Sequence, residues 1–162
     1  MLKRFSLMVL AAVIAATLGA HAAGPRPDKE PESRDAREIA KCAEWIKEGK
    51  YGRSIRVLSE VVERDPTNAD AYNLLGYAHR KVGKLDDSAH YYERALAIDP
   101  DHKGALEYQG ELFLMQDKLA DAKANLEHLE KLCPEDCEER EDLAEAIAAH
   151  EEGKKPRPKG RW

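Results

Sequence analysis

Apolar positions in this chain recur at two intervals. From Asp35 onward, apolar or small residues stand three and four positions apart, the spacing of one face of an α-helix. In the stretch Ala69–His102, Tyr72, Leu75, Gly76 and Ala78 form one such face. Leu85, Ala89, Tyr92, Ala95 and Leu96 form a second. Gly83-Lys84 divides the two, and glycine is favoured just past a helix end because it adopts positive φ without strain. Pro100 stops the second segment, having no N–H with which to continue the ladder. The pattern predicts a helical hairpin. Gly76, inside the first helix, costs about 1 kcal/mol relative to alanine, so a neighbour is expected to pack closely there.

The hairpin itself repeats. Pro66, Pro100 and Pro134 are 34 residues apart, and Lys50, Lys84 and Lys118 keep the same interval. Tyr51, Leu85 and Leu119 recur after each turn. Leu58, Tyr92 and Leu126 form a second row, and Val61, Ala95 and Leu129 a third. One hairpin cannot bury its apolar face alone, so the spacing predicts an all-α stack of three hairpins at 35–68, 69–102 and 103–136. The outer blocks are less regular. Glu38 and Lys41 stand at expected apolar positions, and Cys42 replaces Gly76. In the third block Gln109 replaces Leu75 and Asp117 the turn glycine, while Gly110 is kept. Terminal repeats meet solvent on one side, which accounts for such changes.

After Pro134, residues 137–152 read as a capping helix. Leu143, Ala146, Ile147 and His150 share one face, and acidic residues crowd the other. Glu138, Glu139 and Glu141 in the first turn suit the helix dipole, and Gly153 ends the segment. Both chain ends read differently. Lys3 and Arg4 precede an apolar run from Phe5 to Leu18 and an Ala-x-Ala site ending at Ala22, the anatomy of an export signal over residues 1–22. A retained anchor is the alternative, but the run is short for a membrane span, which takes roughly 17–25 residues. Residues 23–34, with three prolines and no apolar period, read as a flexible linker. Residues 153–162 read as a disordered basic tail, with five positive charges and two prolines. Its alternative reading is a contact with anionic lipid or an acidic surface.

Composition narrows the function. Charged residues make up 35% and aromatics 6%, a balance suited to helices rich in surface. Loss of Lys3 and Arg4 takes the formal charge from −5 to −7, which disfavours nucleic acid as the main partner. Cys133 and Cys137 flank the turn before the capping helix. In an exported chain a local disulfide is the first reading, with free thiols or a metal or redox site as alternatives. Cys42, at a small-residue site, reads as a buried inert thiol. His79, His90, His102, His128 and His150 are scattered and read as packed or surface imidazoles. No nucleophile elbow or phosphate-binding glycine loop stands in the chain. The expectation is therefore a non-enzymatic monomer without cofactor or metal.

Tyr72, Leu75, Gly76, Tyr92, Ala95 and Pro100 resemble the tetratricopeptide repeat (TPR), and the resemblance extends over residues 35–136. His79 and Ser88 depart mildly from the family's tyrosine and alanine. The segment Leu132–Ile147, LCPEDCEEREDLAEAI, resembles the closing segment of small exported bacterial TPR proteins. The resemblance implies a right-handed superhelix whose concave face is lined by the first helix of each repeat. Here that face would hold Ile39, Ala43, Ile46 and Lys47, then Asn73, Tyr77, Arg80 and Lys81, then Glu107, Glu111, Leu114 and Met115. It implies an adaptor or assembly factor that binds a protein or peptide there. Ile39 and Ala43 stand where one TPR variant places the Lys and Asn of a carboxylate clamp, which argues against that mode. An accessory role in redox or metal handling through Cys133 and Cys137 is the alternative.

Overall fold

The computed structural model describes residues 33–154, so the signal segment, almost all of the linker and the tail beyond Lys154 lie outside the described residues. Within them are seven helices and no strand: α1 (Arg34–Lys47), α2 (Tyr51–Arg64), α3 (Ala69–Lys81), α4 (Leu85–Ile98), α5 (Lys103–Met115), α6 (Leu119–Leu132) and α7 (Glu138–Glu151). The fold is an all-α helical repeat stack. Helices α1/α2, α3/α4 and α5/α6 pair as hairpins, and α7 packs on both α5 and α6.

The turns within the hairpins share one geometry. Gly83 N donates to Arg80 O at 3.0 Å and Lys84 N to His79 O at 2.9 Å, the paired bonds of a Schellman cap. Gly49-Lys50 and Asp117-Lys118 close α1 and α5 in the same way. The pattern needs positive φ, which Gly49 and Gly83 adopt at 74° and 81°, and Asp117 adopts at 59° as a non-glycine residue. Gly153-Lys154 closes α7 with the same two bonds, both 2.9 Å. By its ending and its place, α7 is therefore a further first helix. The second helices end differently, at Asp65, Asp99 and Cys133 before the repeated prolines.

Two glycines admit neighbouring elements. A Cβ on Gly76 would lie 2.6 Å from the ring of Tyr92, which is fully buried. A Cβ on Gly110 would lie 2.6 Å from Leu143, so this site receives α7. The main core joins Cys42, Leu58, Val61, Leu75, Tyr92 and Ala95 of the first two hairpins to Ala105, Tyr108 and Leu112 of α5. A second cluster joins Ala122 and Leu129 to Leu143 and Ile147 of α7. On the rim, Arg64 Nη2 donates to Asp35 at 2.6 Å and also reaches Glu38, tying the end of α2 to the start of α1.

Candidate functional site

The inner row of first helices differs from the expected open, mixed surface. Every residue from Ala71 to Arg80 in α3 is buried, and so is every one from Ala105 to Leu112 in α5. Asn73, Tyr77, Arg80, Glu107, Glu111 and Leu114 are thus buried, not solvated side chains. Ile46 is buried as well, and Ile39 and Ala43 pack against the core. Lys47 and Met115 are exposed and Lys81 is half-buried. The family resemblance implied an exposed mixed face, whereas most of these side chains are buried. The charges and rings of this face meet between α3 and α5, an arrangement that linear spacing does not reveal.

Arg80 is the centre of this cluster. Its Nη1 donates to Glu111 Oε2, joining α3 to α5 through an ion pair whose side chains are 3% and 4% exposed. The guanidinium carbon lies 5.2 Å from the ring centre of Tyr77 and 5.6 Å from that of Tyr108. These two rings meet edge to face at 5.1 Å. A cation between aromatic faces gains from their quadrupoles, most when water is excluded. Arg80 Nε and Nη2, and Asn73 Oδ1, are buried without a hydrogen-bond partner. The cluster thus keeps both donors and an acceptor unspent, which is unusual for buried polar atoms.

Beside it lies a cavity of about 260 Å³ lined by Asp70, Asn73, His102, Gly104, Glu107, Tyr108, Glu138, Glu139 and Asp142. Burial pushes the Glu107 carboxyl up to about 9, and the charges of Glu111, Asp142 and Glu139 add to it while Arg80 opposes. His102 caps α5: Ala105 N donates to its Nδ1 at 3.1 Å. Its Nε2 therefore carries the proton and donates to Asp70 Oδ1 at 3.1 Å. That hydrogen bond holds the Asp70 carboxyl below its usual range.

Sequence reasoning missed Asp70, His102, Tyr108, Glu139 and Asp142 as members of this site. It read α7 as a solvating cap with acidic residues facing water; Glu138, Glu141, Glu145 and Glu151 are exposed, while Glu139 and Asp142 are half-buried. The Gly153-Lys154 ending, like Gly49-Lys50 and Gly83-Lys84, was the signal that α7 continues the inner row.

Cys133 and Cys137 form a disulfide with Cα atoms 5.7 Å apart, between the end of α6 and the start of α7. Arg140 reinforces the junction by donating to the carbonyls of Cys133 and Pro134. Among the described residues, no group of three or more His, Cys, Asp or Glu stands close enough to hold a metal ion. Cys42 is fully buried, and burial raises its thiol to about 11, which keeps it unreactive. His79 is buried with Nδ1 donating to Leu75 O at 2.9 Å.

Comparison with known proteins agrees with this architecture. The tetratricopeptide repeat profile matches residues 69–102, and a second TPR repeat profile matches 46–83. The chain is similar to the first TPR of Spaghetti (RPAP3) bound to an HSP90 peptide, at 21% identity and a TM-score of 0.62, covering 73% of this chain and 96% of that one. It is also similar to the type III secretion translocator chaperone SycD of Yersinia enterocolitica, at 20% identity and a TM-score of 0.65, covering 75% and 87%. SycD in complex with a peptide of the translocator YopD matches at 19% identity and a TM-score of 0.61, covering 72% and 88%. At these identities the likeness is one of fold. No curated protein sequence matches the chain. Residues 46–102 carry tetratricopeptide repeats.

Proposed function

We propose that this protein is an exported, non-catalytic TPR adaptor or assembly factor, which binds a segment of another protein along the inner row of first helices. The observation that carries the reading is the polar and aromatic cluster of α3 and α5, with Arg80 Nε, Arg80 Nη2 and Asn73 Oδ1 unspent. A peptide backbone brings both N–H donors and C=O acceptors, and so complements all three atoms once the row, closed over them in the free chain, opens to admit it. Support comes also from fold: RPAP3 and SycD, similar in architecture, are each described with a bound peptide. Export rests on the basic and apolar start of the chain, and the disulfide suits an oxidising compartment. The closing segment Leu132–Ile147, which resembles that of small exported bacterial TPR proteins, supports this reading. It acts as a monomer, and membrane contact is confined to the basic tail.

Photo-crosslinking in the producing cell tests this. A crosslinking residue replacing Met115 or Lys81, at the edge of the inner row, is expected to capture a partner. The same residue at Arg56, exposed on α2, is expected to capture none. Equal capture from both faces removes the proposal.

A further inference from the structure

The acidic cavity between α3, α5 and α7 has a chemistry that the cluster around Arg80 does not explain. Helix dipoles account for Asp70 and Glu139, which lie in the first turns of α3 and α7. They do not account for Glu107 and Asp142, each the fifth residue of its helix, because the dipole effect fades within the first turn. Glu107 is only 4% exposed, and the Arg80 charge that would favour its carboxylate is hydrogen-bonded to Glu111 instead. Asn73 is also 4% exposed and lines the cavity, and its Oδ1 lacks a donor. The Asn73 amide lies against Gly104, where an added Cβ would stand 3.2 Å from Nδ2. The site thus presents the carboxylates of Asp70, Glu138, Glu139 and Asp142 around two buried polar side chains, Glu107 and Asn73, of which Asn73 has an acceptor, Oδ1, without a donor.

A ligand that satisfies both needs carries positive charge and several N–H groups. A lysine ammonium offers three such donors and an arginine guanidinium five. At about 260 Å³ the cavity is smaller than the usual small-molecule pocket of about 300–1,000 Å³, and suits one side chain. We propose that this cavity is a specificity pocket for a lysine or arginine side chain of the bound partner, which meets the Glu107 carboxyl and Asn73 Oδ1 and is flanked by Glu139 and Asp142. The inference rests on the peptide-binding reading above and adds the partner's chemistry. It assigns the inner row a preference for a basic anchor, opposite in sign to a carboxylate clamp.

The full chain is screened against a displayed library of random decapeptides, and the recovered peptides are synthesised for titration. Binders are expected to carry a Lys or Arg whose replacement by norleucine weakens binding about tenfold or more, the loss of a charge-assisted hydrogen bond. The chain carrying Glu139→Gln and Asp142→Asn, its fold checked by circular dichroism, is expected to lose most of that discrimination. The norleucine peptides leave the protein untouched, so the result does not depend on any variant folding. Binders with no basic position, or norleucine peptides that bind equally well, overturn the pocket and leave peptide binding intact. Recovery of no binder overturns both readings together. A carbodiimide cross-link from Glu107 to a lysine of the chain's own tail, formed in the protein alone, gives the cavity a different occupant and also overturns the proposal.

Discussion

Arg80 and Glu111 show how much depends on single side chains here. A buried ion pair repays its desolvation only while both members are present, so removing one leaves a charge stranded. Glu111→Ala is expected to destabilise the fold by about 3–5 kcal/mol in urea denaturation. The double replacement Arg80→Met with Glu111→Leu is expected to recover most of that loss. A double variant no better than the single one counts against a coupled pair. These residues are consequently poor choices for testing partner binding by simple truncation, because the fold itself would answer. Glu107 predicts a pH effect. Its carboxyl is raised from 4.5 to about 9 in the folded chain, mainly by burial. Between those values the folded state holds a proton that the unfolded state has lost, so this group's contribution falls as pH rises through the window. Glu107→Gln is expected to flatten the decline of stability between pH 5 and 9, read from urea midpoints. Parallel curves for the two proteins contradict it.

At the scale of the elements, repetition lies in helix endings as much as in helix faces. The same Schellman cap closes α1, α3, α5 and α7, and only α5 makes it with a non-glycine residue, Asp117. Left-handed backbone costs an L-residue about 1–2 kcal/mol, and glycine's extra unfolded freedom offsets part of any gain. Asp117→Gly is expected to raise stability by about 0.5–1 kcal/mol in thermal or urea unfolding. An unchanged midpoint would show that Asp117 is not strained. Gly110 decides how α7 docks. A methyl group there meets Leu143, which is fully buried, so Gly110→Ala is expected to cost about 1–3 kcal/mol by overpacking. Faster amide exchange should appear first in α7, and uniform acceleration across all helices would argue against local undocking.

For the whole molecule, the disulfide links the last hairpin to the helix that completes the inner row. A five-residue loop gives an entropic stabilisation of about 2 kcal/mol. Replacing both Cys133 and Cys137 with serine is expected to lower stability by about that amount, and to loosen α7 more than α3 in hydrogen exchange. Since α7 supplies Glu139 and Asp142, the same change should also weaken any binding that uses the acidic cavity. Stability of the stack and completeness of the site therefore depend on one junction. The first two hairpins and α5 share the main core, whereas α7 is held by a smaller cluster and that bridge.

The 34-residue interval by itself determined the all-α stack, the hairpin turns and the core row at Val61, Ala95 and Leu129, while in the row of Leu58, Tyr92 and Leu126 the last residue is only half-buried. Local rules suffice there, because helix periodicity, capping and proline stops act within a few residues of sequence. The resemblance to the tetratricopeptide repeat implied that Asn73, Tyr77, Arg80, Glu107 and Glu111 share one face. Only the tertiary structure decided that this face is buried, that Arg80 pairs with Glu111 across 31 positions, and that Tyr108 joins them. The cavity was likewise illegible, because its carboxylates come from three helices and its unspent acceptor is a matter of packing. Desolvation and pairing depend on distances between elements, and no linear spacing encodes them.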